Sequence, residues 1–271
     1  DALARNCPVV LQAPPGSGKT TLVPPALMDA PWLGRRRIVL LEPRRLAARA
    51  AARRMAHLLG EAVGDRIGYH IRLERRVSEA TRVEILTEGL LVRRLLNDPG
   101  LDDAGLIIFD EFHERALAAD QSLAMALDVR RALRPDLRLL VMSATLDAEA
   151  VARWLADPGA PPARAPRVVA AAARVWPVAT RLLSRPAAGP LPRQAADAVA
   201  RALAEEEGSV LVFLPGEGEI RRTAELLRDA RLPPGVEVCP LYAALAREAQ
   251  DRAVAPPPPG ARKVVLATSI A

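Results

Sequence analysis

The chain has 271 residues, half of them hydrophobic, which is enough for one large domain or two smaller domains with separate cores. Its formal net charge is +6, but only Lys19 and Lys263 of the 38 basic residues are lysines, and this charge permits an anionic partner without demonstrating one. No apolar run reaches about 18 residues, which argues against a membrane-spanning protein. Cys7 and Cys239 show no spacing pattern, which argues against a disulfide framework. The start of the sequence has no signal-peptide pattern, so we expect a cytoplasmic protein.

Five short apolar runs in the first part of the chain predict buried strands: CPVVLQAP, RRIVLLEP, TRVEILTEG, GLIIFDE and LRLLVMSAT. Helix-like stretches lie between them, at Lys19–Leu27, Arg44–Leu59, Glu88–Leu96 and Asp120–Arg134. Strands that alternate with helices in this way predict an α/β fold with a parallel sheet and helices on both faces. A polar segment follows each strand, so all five segments are expected at the carboxyl edge of the sheet, where such folds bind ligands.

The composition changes between about residues 158 and 192, where the chain becomes rich in Ala, Pro and Arg. We place a domain boundary there, which gives a first domain of residues 1–168 and a second of residues 169–271. In the second domain the strand-like runs are SVLVFLPG, VEVCPLY and KVVLATS, with helices at Glu217–Asp229 and Arg247–Val254. This pattern predicts a second parallel βα domain that is incomplete.

The segment APPGSGKTT follows the first predicted strand and opens a helix, which is the context of a phosphate-binding P-loop. The Lys19 ammonium would reach the β- and γ-phosphates, and the Thr20 hydroxyl would ligate Mg²⁺. A strict P-loop has Gly where Ala13 stands, and the alternative is a Gly-rich turn with an accidental Lys. The predicted nucleotide-binding residues of this loop are Gly16, Ser17, Gly18, Lys19, Thr20 and Thr21.

The fourth predicted strand ends in DEFHER, and the presence of a P-loop favours a catalytic interpretation of its acidic residues. Asp110 would hold Mg²⁺ through water and Glu111 would orient the attacking water, whereas an exposed acidic turn is the alternative. His113-Glu114 begins the zinc pattern H-E-x-x-H, but Leu117 stands where the second His is needed, so we reject a zinc site. The predicted magnesium site comprises Thr20, Asp110 and Glu111.

Seven segments, in this order, resemble motifs I, Ia, Ib, II, III, IV and the start of V of superfamily 2 helicases of the DEAH/RHA group: GSGKTT, EPRRLAARAAARR, TEG, DEFHER, SAT, LVFLPGEGEI and VVLATSIA. The Phe of DEFH, with LEPRRLAARAAARR and CPLYAAL, makes the chain most similar to the bacterial HrpB-type members. The resemblance covers essentially the whole chain. It implies two RecA-like P-loop NTPase domains, with ATP and Mg²⁺ bound between them and single-stranded nucleic acid across both.

The resemblance also implies a role for each matching residue. The catalytic set would be Lys19, Asp110, Glu111 and His113. Residues that couple nucleotide state to domain closure would be His113, Ser143 and Thr145, and Arg54 would stack on the adenine. The nucleic-acid backbone would contact Arg44, Arg45, Thr87, Gly89 and Thr268.

Several of these assignments have a structural alternative. Arg44 and Arg45 are also ordinary residues for a helix start in an Arg-rich chain, and Arg54 would equally suit a solvated helix face. Ser143 and Thr145 would instead cap a helix that begins near Asp147. The cluster Arg72, Arg75 and Arg76 is interpreted as solvated surface and receives no role.

The function implied by the resemblance is an ATP-dependent helicase or translocase on single-stranded nucleic acid, with RNA favoured over DNA. The chain starts without Met, so we expect a cut N-terminus, and it ends inside motif V, before the arginine fingers of motif VI. Because such fingers can supply about 10³–10⁵ in rate, we expect this chain to bind nucleotide but hydrolyse it poorly. The alternative function is a nucleotide-dependent RNA-binding or interaction module without unwinding activity. A P-loop kinase or transport ATPase would not explain PRR, TEG and SAT in order.

Overall fold

The chain folds into two compact units, Asp1–Pro177 and Val178–Ala271. The computed structural model describes residues 1–144, 147–157, 159, 161–172, 176–182 and 189–269. The predicted boundary after residue 168 falls inside a strand, Arg167–Ala170, which pairs with the first strand of the chain. The first unit therefore extends beyond that boundary.

The first unit is built on an eight-stranded sheet with the strand order β4-β3-β5-β2-β6-β7-β1-β8. The strand pairs of this sheet are parallel, apart from the antiparallel β3–β4 pair at one edge. The parallel central strands agree with the α/β fold predicted from continuous apolar runs. The strands are β1 Val9–Gln12, β2 Arg37–Leu41, β3 Ile67–Ile71, β4 Glu74–Arg76, β5 Val83–Leu86, β6 Ala104–Phe109, β7 Arg138–Ser143 and β8 Arg167–Ala170.

Helices cover both faces of this sheet and form two separate apolar cores. Successive residues of one strand serve opposite cores, because side chains alternate across a strand: Ile108 of β6 lies in one core and Phe109 in the other. The helices of the first unit are α1 Lys19–Leu27, α2 Arg45–Leu59, α3 Glu88–Asn97, α4 Leu117–Ala132 and α5 Ala148–Leu155. Within the described ranges, no helix has both the length and the apolar character needed to cross a membrane.

The strand register brings the carboxyl ends of the central strands to a common edge. Gln12 of β1 lies beside Ser143 of β7, and Leu41 of β2 lies beside both Leu86 of β5 and Phe109 of β6. The segments that follow these strands therefore start side by side, as expected from the sequence. Since β7 separates β1 from β6, the P-loop and the DEFHER segment flank the end of β7.

The second unit contains a three-stranded parallel sheet in the order β10-β11-β9. Its strands are β9 Val210–Phe213, β10 Val236–Leu241 and β11 Arg262–Ala267. Its helices are α6 Leu191–Glu205, α7 Glu217–Asp229 and α8 Arg247–Val254. The core of this unit packs Val199 and Leu203 of α6 and Ile220 of α7 with Val264 and Leu266 of β11. The parallel βα pattern of the second domain agrees with the prediction.

Candidate functional site

The P-loop turns sharply between β1 and α1. Gly16 and Gly18 adopt positive φ angles of 74° and 81°, which a glycine tolerates at little cost. Gly18 is the N-cap of α1 and has no side chain, so the first amides of the helix remain directed towards an incoming anion. Ala13, where a strict P-loop has Gly, is buried and donates its N–H to the Ser143 carbonyl at 3.0 Å. The residue that departs from the strict P-loop pattern therefore lies at the end of β1, beside β7.

The DEFHER segment forms a single 3-10 turn, Phe112–Glu114, between two residues in the left-handed region. Glu111 has φ 48° and Arg115 has φ 52°, and such a conformation costs a non-glycine residue about 1–3 kcal/mol. Phe112 is buried and packs edge-to-face on Phe109 of β6, with ring centroids 6.2 Å apart. Burial of Phe112 therefore holds the turn at the end of β6.

The P-loop and the acidic turn meet in a cluster of four side chains. The Lys19 Nζ lies 2.8 Å from Glu111 Oε1, and the Thr20 hydroxyl donates to Asp110 Oδ2. The Glu111 backbone N–H donates to the other Asp110 oxygen at 2.8 Å. Lys19 and Asp110 are both buried, so the ammonium partly compensates the charge of two adjacent acids in a poorly solvated place.

Burial raises the pKa of the Asp110 carboxyl, and the neighbouring Glu111 carboxylate raises it further. The hydrogen bonds from Thr20 and the Glu111 amide, together with the Lys19 charge, oppose this shift. Additional positive charge beside Asp110 would favour its ionised form, and a divalent cation would supply that charge.

Glu42 is a buried acid at this edge that the sequence reasoning did not single out. It follows β2, and its backbone N–H donates to the Leu86 carbonyl at 2.9 Å. Burial, followed by the charges of Asp110, Glu111 and Glu114, raises the pKa of Glu42 from 4.5 to about 8. The only signal in the sequence was a charged residue directly after an apolar run, in LEPRR.

A Glu42→Gln variant is expected to be more stable than the parent chain at pH 8 and equally stable near pH 4.5. The native state keeps Glu42 protonated up to about pH 8, whereas the unfolded chain ionises near 4.5, so the stability from this group is lost as the pH rises between those values. Glutamine stays neutral throughout, and the difference should reach the order of 4 kcal/mol at pH 8. Urea unfolding across this pH range, without nucleotide or Mg²⁺, measures it.

The matched control is Glu149→Gln, because Glu149 is an exposed acid on α5. Its effect on the free energy of unfolding should stay within about 0.5 kcal/mol over the same pH range. A Glu42→Gln difference that does not grow with pH would contradict the protonated state assigned to Glu42.

The donor set fits Mg²⁺ and a nucleotide phosphate. A buried carboxylate and a hydroxyl, already in contact with each other, are the oxygen ligands that Mg²⁺ takes in phosphate sites, where water and phosphate complete the shell. The Ser17 hydroxyl is buried and has no hydrogen-bond partner among the described residues. A phosphate in the P-loop would provide the acceptor that this hydroxyl lacks, and Thr21 already bonds the Gly18 carbonyl at 3.4 Å.

The predicted coupling residues lie close to the acidic turn. His113 Nδ1 is 3.3 Å from Glu111 Oε2, so the imidazole and Lys19 contact the same carboxylate. Ser143 is buried at the end of β7. Thr145 lies outside the described residues. The alternative that Ser143 caps the next helix does not hold, because Asp147 is the N-cap of α5 and accepts from the Ala150 N–H at 3.0 Å.

The predicted nucleic-acid residues of the first unit start two neighbouring helices. Arg44 is the N-cap of α2, beside exposed Arg45, and Thr87 is the N-cap of α3, with Gly89 exposed in its first turn. The guanidinium of Arg44 pairs with Glu114 Oε1 at 3.0 Å, at the far end of the acidic turn. Because β2 and β5 are adjacent, these helix starts form one surface at the carboxyl edge.

The two other predicted binding residues, Arg54 and Thr268, do not belong to these helix starts. Arg54 is exposed on α2, and the described contacts do not bring it to the P-loop cluster. Thr268 directly follows β11 in the second unit, half-buried, and its N–H donates to the Leu241 carbonyl at 3.2 Å.

A phosphate-binding loop facing paired acids on a parallel sheet defines a P-loop NTPase-type site. Residues 1–154 match the DEAD/DEAH box helicase family, and the chain belongs to that family. The resemblance to DEAH/RHA helicases is confirmed, together with the RecA-like α/β fold.

The chain is also similar to individual members of this family. It is 48% identical over 263 residues to "ATP-dependent RNA helicase HrpB" of Escherichia coli (strain K12), which covers 97% of this chain and 31% of that protein. It is 36% identical over 277 residues to "Pre-mRNA-splicing factor ATP-dependent RNA helicase prp22" of Schizosaccharomyces pombe, across 100% of this chain and 23% of that protein. The crystal structure of the E. coli DEAH/RHA helicase HrpB superposes with a TM-score of 0.85 at 47% identity, across 99% of this chain and 33% of that one. The chain thus spans a third or less of the length of these relatives.

Proposed function

We propose that this chain binds Mg²⁺-ATP at the P-loop and hydrolyses it slowly, and that hydrolysis is coupled to movement on single-stranded RNA. The observation that carries the proposal is the contact of Lys19 and Thr20 with Glu111 and Asp110. Both named relatives are described as ATP-dependent RNA helicases, which supports ATP as the nucleotide and RNA as the strand.

The proposed hydrolytic mechanism begins from the ion pair of Lys19 and Glu111. On nucleotide binding, the Lys19 ammonium leaves Glu111 for the β- and γ-phosphate oxygens, and Glu111 becomes free to orient a water for in-line attack. Thr20 and Asp110 would hold Mg²⁺, with Glu111 close by, and the metal would neutralise phosphate charge. Gly16, Ser17, Gly18 and Thr21 would line the phosphates through loop amides and hydroxyls.

The proposed coupling uses groups that contact the hydrolytic carboxylate. His113 touches Glu111, so a change in the position of Glu111 on phosphate release moves a partner of His113. Ser143 and Thr145 are assigned to the same response, and Arg54 to adenine stacking, on the basis of the family motifs. Loss of the γ-phosphate then removes contacts that favour the ATP-bound state.

The proposed RNA surface comprises Arg44, Arg45, Thr87 and Gly89 of the first unit, and Thr268 is assigned to the strand from the second. Two helix N-termini and two guanidinium groups suit phosphate oxygens and carry no base-specific information. The Arg44–Glu114 pair adds a link between this surface and the acidic turn. We therefore expect weak base specificity and a strong dependence of affinity on salt.

Affinity for oligo(U), measured by fluorescence anisotropy, is expected to fall by at least about tenfold between about 50 and 200 mM salt. Arg45→Ala should weaken binding at low salt and reduce the slope of log affinity against log salt by about 0.7, the value for one phosphate contact on a single strand. The control is Arg5→Ala, since exposed Arg5 precedes β1 and lies at the opposite edge of the sheet. Equal effects of the two variants, or a salt-independent affinity, would contradict the assigned surface.

The complete function is tested by single-turnover ATP hydrolysis with the protein in excess, which detects slow turnover. Hydrolysis should require Mg²⁺ and accelerate with oligo(U). The second candidate, a nucleotide-dependent RNA-binding module, predicts that nucleotide changes the RNA affinity while Glu111→Gln leaves every RNA response unchanged. Acceleration by oligo(dT) equal to that by oligo(U) would show that the 2′-hydroxyl is not read.

A further inference from the structure

Arg115, the last residue of the DEFHER segment, joins three elements through one side chain. Its guanidinium lies 5.7 Å from the ring centre of Phe112 and 5.1 Å from that of Trp154, within the range of cation–π contacts. Its Nη2 donates to Asp120 Oδ2 at 2.8 Å. The side chain therefore contacts the acidic turn, the first part of α4 and the last turn of α5.

Arg115 is linked to Glu111 through the acidic turn, because it contacts the residue that follows Glu111. Phe112 is the next residue after Glu111, and Trp154 lies on α5, the helix that follows β7 and Ser143. Glu111 contacts Lys19 from a left-handed backbone conformation, and Arg115 closes the same turn in a second left-handed conformation. A strained turn keeps one geometry only when its surroundings determine it, and the guanidinium contacts are part of those surroundings.

We propose that Arg115 is a positioning residue that fixes the Glu111 carboxylate for hydrolysis, by holding the acidic turn against Trp154 of α5 and Asp120 of α4. The inference rests on the proposed hydrolytic role of Glu111. The broad, planar guanidinium can bond a carboxylate and lie over two aromatic rings at once, whereas the compact ammonium of lysine reproduces only part of these contacts. A displacement of the turn by a fraction of an ångström would misalign the attacking water while leaving the phosphate contacts of the P-loop intact.

The side chains around Arg115 are partly exposed, so its contacts are expected to contribute little to the free energy of folding. The side chains of Arg115 and Asp120 are 45% and 34% exposed, and Trp154 is 49% exposed beside an open cleft of about 270 Å³. Exposed contacts of this kind add little to the free energy of folding. The core beneath them, which includes Phe112, does not depend on the guanidinium, so variants at Arg115 and Trp154 are expected to fold.

The experiment compares Arg115→Ala, Arg115→Lys, Trp154→Ala and Trp154→Phe in single-turnover ATP hydrolysis, with a fluorescent ADP analogue to measure nucleotide affinity. Arg115→Ala and Trp154→Ala should each slow hydrolysis about tenfold and change the nucleotide Kd by less than about twofold. Trp154→Phe keeps an aromatic face and should restore most of the rate, whereas Arg115→Lys should restore only part. The double variant Arg115→Ala/Trp154→Ala should be no slower than Arg115→Ala, because removing Arg115 already removes the contact with Trp154.

Two controls make the outcome decisive. Arg131→Ala also removes a link between α4 and α5, from Nη2 to the Ala156 carbonyl at 3.1 Å, but does not touch the acidic turn, and it should keep the parent rate. Glu111→Gln must abolish hydrolysis; if it does not, the proposed function fails and not this inference alone. With Glu111→Gln inactive, the inference is overturned if Arg115→Ala hydrolyses at the parent rate, if it weakens nucleotide binding as much as it slows hydrolysis, or if Arg131→Ala slows hydrolysis equally.

Discussion

Glu111→Gln is expected to bind Mg²⁺-ATP at least as tightly as the parent chain and to hydrolyse it at least about 100-fold more slowly. The amide keeps the shape of the side chain and can still accept a hydrogen bond, but it no longer carries the charge that polarises water. Removal of one negative charge beside Asp110 also lowers the repulsion that phosphate meets. Single-turnover hydrolysis and equilibrium binding of the same protein preparation measure both effects.

The matched control for this variant is Glu114→Gln in the same turn. The Glu114 carboxylate pairs with Arg44, at the opposite end of the turn from Lys19, so its loss should leave the hydrolysis rate unchanged. Oligo(U) affinity should rise in the control, because Arg44 is released. The role of Glu111 would be wrong if the two glutamines slowed hydrolysis to the same extent.

Lys19→Ala is expected to weaken nucleotide binding by about 100-fold or more, with hydrolysis reduced below detection. Lys19 is buried, and its removal takes away both the phosphate contact and the cation that balances Glu111 and Asp110. Without this cation, an incoming triphosphate meets the uncompensated charges of Glu111 and Asp110, and a 100-fold change in Kd corresponds to about 2.8 kcal/mol. Titration with a fluorescent ADP analogue gives the affinity.

Lys263→Ala is the control, because Lys263 is the only other lysine of the chain. Its Nζ donates to the Arg252 carbonyl and, at 2.8 Å, to the Ala255 carbonyl, both in the second unit. Circular dichroism should confirm that both variants are folded, and nucleotide affinity should change only for Lys19→Ala. Parent-like affinity in Lys19→Ala would exclude the P-loop as the nucleotide site.

The central part of the first unit could be predicted from sequence because its strands are buried on both faces. Such strands appear as continuous apolar runs, and each of the five runs contains a strand of the sheet. Chain order and a parallel sheet then suffice to place the P-loop and the acidic turn at one edge. The contact between Lys19 and Glu111 agrees with that placement, although the roles of these residues are still predictions.

The peripheral elements were not predictable from the same pattern. Strand β4, Glu74–Arg76, consists of charged residues and exists because it pairs with β3, and β8 lies in the Ala- and Pro-rich segment that was interpreted as a boundary. Helix α4 begins at Leu117, three residues before the predicted start at Asp120. Its N-cap is Ala116, so no polar capping residue marks the true start in the sequence. These elements depend on tertiary pairing, which local composition does not encode.

The functional details missed from sequence were those created by distant residues. Glu42 acquires its raised pKa from burial and from acids of the segment that follows β6, far away along the chain. Arg115 ends the DEFHER segment in the sequence, and only the fold brings it to Trp154 of α5. Neither spacing nor residue type could reveal these contacts before the fold was known.

The most direct test of the account is a crystal structure of the chain with Mg²⁺ and a non-hydrolysable ATP analogue. We expect Lys19 to leave Glu111 for the β- and γ-phosphate oxygens, Thr20 and Asp110 to hold the metal, and the Glu111 carboxylate to face the γ-phosphate across a water. An analogue bound elsewhere, with the Lys19–Glu111 pair intact, would contradict it.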